Sequence, residues 1–282
     1  MADNSLSVRM KGYEKVTRTY LTRRTPVIIR VDGNAFHTLT RGFEKPFDSV
    51  MVEAMQSTMK YLCENIEGCV IGYTYSDEIT LVLCDYKKLT SQAWFDDNVL
   101  KMCSISASMT TMAFNKFFEE LAQKWEDEEF SKIIINGTDV VNKDFEAMYQ
   151  KYSSAHNKAI VKGALFDSRV FNIPKDEVCN CLLWRQQDAT RNSIQSVAQA
   201  NFSHKKIQNK SNNELQDMLY TEKGINWNDY PTHLKRGSCC VKKEQEIITE
   251  SGEKVIRNKW VIDTEIPIFS QDSNYVNNLI MF

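Results

Sequence analysis

Val27-Ile28-Ile29-Arg30-Val31 is a run of mostly β-branched residues that ends at the turn dipeptide Asp32-Gly33, and it predicts a strand. Helical spacing follows. Met51, Met55, Met59, Leu62 and Ile66 recur on one face, Asp48 stands where an N-cap belongs, and Gly68 closes the segment. Two short apolar runs, Cys69–Tyr75 and Ile79–Cys84, flank Ser76-Asp77-Glu78 and predict a hairpin. A second helix is expected from about Trp94 to Phe118, with Val99, Met102, Ser106, Met109, Ala113 and Phe117 on one face. Its small residues Ser104, Ser106, Ala107 and Ser108 allow close approach to a sheet. Glu126–Glu129 reads as a surface break, and Ala164–Ile173 as another strand. After Pro174 the pattern turns helical through Trp184, Ile194 and Val197, then basic at Lys205, Lys206 and Lys210, then helical again near Glu214–Tyr220. A closing hairpin is expected around a turn at Glu250-Ser251-Gly252-Glu253, with apolar residues from Trp260 to Ile268.

The order strand, helix, strand, strand, helix, strand predicts an α/β fold built on a ferredoxin-like sheet, with packed helices and a C-terminal helical and hairpin extension. The division expected is a core over residues 1–173 and a helical and hairpin part over 174–282, either a second lobe or a layer continuous with the core. In such a core the end of the first strand and the hairpin turn share one sheet edge. Asp32 and Asp77, distant in sequence, become neighbours.

Composition adds limits. With 42% hydrophobic and 26% charged residues the chain reads as an ordinary globular protein. Its net charge of −2 gives no global positive field, so any RNA-binding surface has to be a local patch. Of the eight cysteines, Cys63, Cys69, Cys84 and Cys103 lie in apolar segments, and Cys179/Cys181 and Cys239/Cys240 are too close together to pair easily. Reduced thiols, no structural zinc and a cytoplasmic location are the expectation. The opening MADNSLSVRMKG lacks the apolar stretch of a secretory leader, and no run approaches the roughly 20 residues that span a membrane.

Each acidic turn alone is ordinary turn chemistry. Their conjunction matters more. Mg²⁺ prefers oxygen ligands and takes one or two carboxylates plus substrate phosphates. Two aspartates at adjacent loop ends, beside a glycine carbonyl, suit that demand. Two such ions clamp the attacking and leaving oxygens of a phosphoryl transfer.

Arg30-Val31-Asp32-Gly33-Asn34-Ala35-Phe36-His37 closely resembles a segment of the histidine-tRNA guanylyltransferase superfamily. The likeness continues, in the family's order, through Lys45-Pro46-Phe47-Asp48, Tyr73-x-x-Ser76-Asp77-Glu78, Phe166-Asp167-x-Arg169 and Trp184-Arg185-Gln186-x-Asp188, covering roughly residues 8–240. That resemblance implies a polymerase-palm fold working 3′ to 5′, with two Mg²⁺ ions at Asp32, the Gly33 carbonyl and Asp77, and Glu78 beside them as a third catalytic carboxylate. It implies nucleotide contacts at Asn34, Phe36, His37, Lys45, Asp48 and Ser76, and a second triphosphate at Lys101. Phe36 also reads as a core residue, and His37 as a structural histidine. Contacts to tRNA are expected from Arg169 and Arg185 and from the basic pair Lys235-Arg236. The family also implies a homotetramer.

One departure is informative. Where eukaryotic members carry H-I-N-N, this chain has Ala189-Thr190-Arg191-Asn192-Ser193, as in the like-protein branch that repairs 5′-truncated tRNAs by templated addition. The chemistry implied has two steps. A tRNA 5′-monophosphate attacks the α-phosphate of ATP or GTP; the 3′-hydroxyl of an incoming nucleoside triphosphate then attacks the activated end. Three alternatives stay open: untemplated guanosine addition to histidine tRNA, a palm-fold nucleotidyl cyclase, and a tRNA-binding protein without catalysis.

Overall fold

A computed structural model describes residues 5–135, 143–248 and 254–281. The elements, in chain order, begin with α1 (Leu6–Lys15), β1 (Val27–Gly33), the single turn α2 (Phe36–Leu39), α3 (Ser49–Asn65), β2 (Cys69–Tyr75) and β3 (Glu78–Leu83). They continue with α4 (Val99–Ile135), α5 (Lys143–Lys162), β4 (Phe166–Asn172), α6 (Val178–Asn201), the short α7 (His204–Ile207) and α8 (Asn212–Lys223). Last come α9 (Thr232–Arg236), β5 (Ser238–Ile248), β6 (Lys254–Asp263) and α10 (Asn274–Ile280).

Six strands form one antiparallel sheet in the order β4-β1-β3-β2-β5-β6. Its first four, with α3 and α4, are the expected ferredoxin-like arrangement. β5 pairs with β2 through Ile71↔Val241 to Thr74↔Ser238, so the late hairpin extends the same sheet. The expected turn at 250–253 lies outside the described residues.

Strand alternation gives the sheet two buried faces. Val27, Ile29 and Val31 face α3 and α4 with Met55, Met59, Leu62, Met102 and Phe114. Ile28, Ile71, Tyr73 and Val82 face the other way, against Val178 and Leu182 of α6 and Phe269, Val276 and Ile280. This double burial is why β1 reads as an unbroken apolar run rather than an alternation. Ile28, Ile29 and Val31 are each fully buried, and each contributes about 1.5–3 kcal/mol.

Asp48 caps α3 as expected, its carboxylate accepting from the Met51 amide at 3.0 Å. The expected small-residue contact is made by Ser106, whose hydroxyl lies 2.7 Å from that of Ser168, while Ser104 and Ser108 stay exposed.

The surface break expected at Glu126–Glu129 is not there. α4 runs unbroken for 37 residues, supported by i,i+4 pairs Lys116–Glu120 and Lys124–Glu128. An acidic cluster is compatible with a helix when its residues lie on an outer face, and Trp125 on the inner face stacks on Tyr149 of α5 at 5.9 Å. α5 itself gave little pattern, because its buried face is made of Ala155, His156 and Ala159 rather than large apolar residues. α1 buries no side chain. Among the described residues no helix is long and apolar enough to cross a membrane, and all eight cysteines are unpaired.

Candidate active site

The register explains how the acidic groups meet. Asp32, at the end of β1, sits opposite Glu78 of β3 and Asp167 of β4. The Gly33 amide donates to the Asp77 carbonyl at 3.0 Å, closing the β2–β3 turn onto the strand end. Ser76 turns that corner with φ 54°, in the left-handed region, and its hydroxyl donates to the Asp77 carboxylate at 3.0 Å. Burial raises the Asp77 carboxyl above its ordinary range, the Ser76 hydrogen bond opposes this, and the Asp32 charge raises it further. Gly33 is required by space. A Cβ there would lie 2.3 Å from the Phe36 ring and 2.9 Å from the Asp77 Cβ.

Asp77 stands between two hollows. On the α3 side is a cleft of about 480 Å³, where Gly33, Phe36, His37, Lys45, Asp48, Ser76 and Asp77 come together. His37 and Lys45 reach it exposed. Thr40, Gln56, Asn192, Ser196 and His233 also line it. Asn192 belongs to the segment that stands in place of H-I-N-N, and the other four carry no periodic or motif signal in the sequence. Burial lowers the pKa of His233. On the α6 side a second hollow of about 200 Å³ is lined by Asp32, Tyr73, Glu78 and Arg185, and it shares Tyr75, Ser76, Asp77 and Asn192 with the first.

Several residues stand apart from the roles expected of them. Glu78 is held by Arg185 at 2.6 Å and Arg30 at 3.7 Å. Burial raises its pKa, and the two guanidiniums oppose that rise. Arg185, expected to reach tRNA, is turned inward instead; only 13% of its side chain is exposed, and it also pairs with Asp188 at 2.9 Å. Arg30 and Arg185 both lie over the half-exposed Trp184 ring, at 5.5 and 4.4 Å. Lys235 is likewise internal. Its ammonium donates to the Asn228 carbonyl and lies over Trp227, and burial lowers its pKa. Neighbouring Arg236 is only part-buried. Arg169 is exposed, with its guanidinium 3.9 Å from Asp32 and 3.6 Å from Asp167.

Asp48 has both oxygens engaged internally: one on the Met51 amide, the other on the Glu44 amide at 3.2 Å and His156 at 2.9 Å. Phe36 lines the cleft from below as a core residue, packed on Phe114 and Phe166. Asn34 is exposed, its amide bonded to the Leu165 carbonyl at 2.8 Å. Lys101 does not line either hollow. It sits in the first turn of α4 over the Phe95 ring. The preceding Trp94–Asp97 turn packs beside Val27 and Leu83, at the other end of the strands from Asp32 and Glu78.

Among the described residues no group of three or more His, Cys, Asp or Glu side chains is placed to hold a metal. Asp32 and Asp77 are a pair, and a pair of hard oxygen donors is what Mg²⁺ uses when phosphates complete its shell.

A model of the tRNAHis guanylyltransferase family matches residues 7–174. A bacterial tRNA(His) guanylyltransferase-like protein solved in complex with ATP is 40% identical with a TM-score of 0.76, over 99% of this chain and 100% of that one. A complex described in the same words but with GTP gives 38% and 0.75, over the same shares. An uncharacterized protein of Acanthamoeba polyphaga mimivirus is 28% identical over 97% of this chain and 87% of its own length. A probable tRNA(His) guanylyltransferase of Dictyostelium discoideum is 25% identical over 92% of this chain and 91% of its own.

Proposed function

Because the chain belongs to the tRNAHis guanylyltransferase family and is a nucleotidyltransferase of that kind, we propose that it adds templated nucleotides to the 5′ end of truncated tRNA after activating the 5′-monophosphate with ATP or GTP. One observation carries this reading. Asp77 opens both onto a cleft with an exposed cation at Lys45 and onto a second hollow floored by Asp32. A reaction that brings a nucleotide to one side of an acidic pair and an RNA end to the other needs that geometry. A likeness to guanylyltransferase-like proteins bound to ATP and to GTP supports the nucleotide side. The Ala189–Ser193 segment, in place of H-I-N-N, supports templated over untemplated addition.

The donor set fits a divalent cation. Asp77 is buried beside the Asp32 charge, a repulsion that a dication relieves, and the bare Gly33 lets backbone oxygen approach. Bound at Asp32, Gly33 and Asp77, two Mg²⁺ ions would supply charge neutralisation at the reacting phosphoryl oxygens. The chain's own side chains do the rest. Lys45 and Ser76 hold the triphosphate, with His37 at the rim of the cleft. Arg169, beside Asp32 on the open edge strand, meets the tRNA phosphate. In the first step a 5′-phosphate oxygen bonds to the α-phosphorus of ATP and pyrophosphate leaves. In the second, the 3′-hydroxyl of the incoming nucleotide bonds to the tRNA 5′-phosphorus, AMP leaves and the proton passes to solvent. Electrostatics and positioning dominate both. A cytoplasmic homotetramer is part of the proposal; the unpaired cysteines and the unburied face of α1 are in keeping with it.

Incubating 5′-monophosphorylated, one-nucleotide-truncated tRNA with ATP labelled at the α-phosphate tests the first step. Label is expected on the RNA 5′ end, with pyrophosphate released. A cyclic nucleotide formed without RNA would make the protein a cyclase, and tRNA binding with no transfer would make it a binding protein.

A further inference from the structure

The loop from Phe43 to Asp48 forms one wall of the cleft and presents Lys45 to it. Within the loop, Pro46 restricts one backbone dihedral, and the loop is tied down at its end. Its fixed point is Asp48, and the partner of Asp48 comes from 108 residues away in sequence. His156 of α5 donates from Nε2 to Asp48 Oδ2 at 2.9 Å, and that same oxygen accepts the Glu44 amide at 3.2 Å. The other oxygen accepts the Met51 amide, starting α3. One carboxylate therefore ties both ends of the Lys45 segment and the following helix to one imidazole.

The imidazole is itself clamped. Phe43, Phe118 and Trp125 stand edge-on around it, with centroids 5.0, 5.7 and 5.3 Å away. It is 1% exposed, and among the described residues its Nδ1 has no partner. A buried polar atom left unbonded costs stability, so packing alone does not account for a histidine there. An apolar ring would fill the aromatic box at lower cost. What an apolar ring lacks is a donor for Asp48. α5 makes a second contact with the same wall, since a Cβ on Gly42 (φ +96°) would lie 3.2 Å from that of Ala155. Behind it, Glu126 of α4 accepts from Ser153 and Asn157 of α5, and Trp125 stacks on Tyr149. The long tail of α4 thus braces α5, and α5 braces the cleft.

We propose that His156 is a positioning residue for the nucleotide: through Asp48 it holds the Lys45 loop in the shape that receives a triphosphate. This rests on reading the cleft as the nucleotide site. Removing the donor leaves Asp48 buried with one partner fewer and frees the Glu44–Lys45 end of the loop. Arg169 on β4, proposed to meet the tRNA, does not line the cleft and is untouched.

The test measures ATP affinity, the KM for ATP, kcat and tRNA affinity in the full-length protein. His156→Leu is expected to weaken ATP binding and raise its KM about tenfold, or about 1.4 kcal/mol, with kcat within about twofold and tRNA affinity unchanged. His156→Gln, which keeps a donor at nearly the same reach, is expected within about threefold of wild type. His156→Asn, whose amide stops short of Asp48, should behave like His156→Leu and carries the comparison if the leucine variant fails to fold. ATP affinity in His156→Leu within about twofold of wild type overturns the proposal. So does a glutamine variant as weak as the leucine one, or ATP and tRNA affinity falling together with the melting temperature. Wild-type protein that binds tRNA but no ATP overturns the cleft reading, and the proposal with it.

Discussion

Asp77→Asn is expected to lower both nucleotidyl transfers about a thousandfold or more, while the folded protein becomes no less stable at neutral pH. The carboxylate lines both hollows and lies beside Asp32, so its charge serves the site rather than the fold. Burial, and then Asp32, raise its pKa above the unfolded value. The folded state therefore holds that proton more tightly than the unfolded chain. Its stabilising contribution is complete below the unfolded pKa and is lost as pH rises through the folded one. Above that, in metal-free buffer, ionised Asp77 costs stability and the asparagine does not. Thermal melts across pH should show the variant at or above wild type near pH 7, with the difference closing in acid. A variant that melts well below wild type at pH 7 would show that the charge holds the turn together.

Arg185→Ala should act in the opposite way, destabilising the fold first. Glu78 would keep Arg30, at 3.7 Å, and the Thr80 hydroxyl, at 3.5 Å, and Asp188 would lose its inward partner, although Arg191 still pairs with it. Breaking a largely buried ion pair from one side leaves an uncompensated charge; with Arg30 in place the cost is about 2–3 kcal/mol, or about 5–10 °C in melting temperature. Adding Glu78→Gln should recover part of that loss, as expected for two residues in contact. Affinity for tRNA, measured at fixed salt, is expected to change little. A tenfold loss of tRNA affinity with an unchanged melting temperature would return Arg185 to the RNA-contacting role its place in the Trp-Arg-Gln motif suggested.

The pieces legible in the sequence were those where local chemistry and burial agree. β1, β2 and β3 are buried on both faces, so their apolar runs stand out. Asp48 caps α3 in the ordinary way. The meeting of Asp32 and Asp77 followed from topology, because a ferredoxin-like order brings the end of the first strand to the hairpin turn. What escaped was buried by something other than large apolar side chains. α5 packs with alanines and a histidine, and the tail of α4 hides its inner face behind an acidic outer one. Arg185 and Lys235 look like surface cations in sequence and are internal, because their partners, Glu78 and the Asn228 carbonyl, are 107 and 7 residues away and no local pattern announces them. Lys101 begins at the far end of the sheet, a matter of where α4 starts relative to β3, which residue spacing does not encode.

Four truncated tRNAs, identical except for the base opposite the missing 5′ nucleotide, test the central claim most directly. Each, carrying a 5′-monophosphate, is incubated with protein, Mg²⁺, ATP and one nucleoside triphosphate at a time. The expected result is extension of each tRNA by the complementary nucleotide alone, and no extension of any by the Asp77→Asn variant. Addition of guanosine to all four regardless of the opposing base would contradict templated repair.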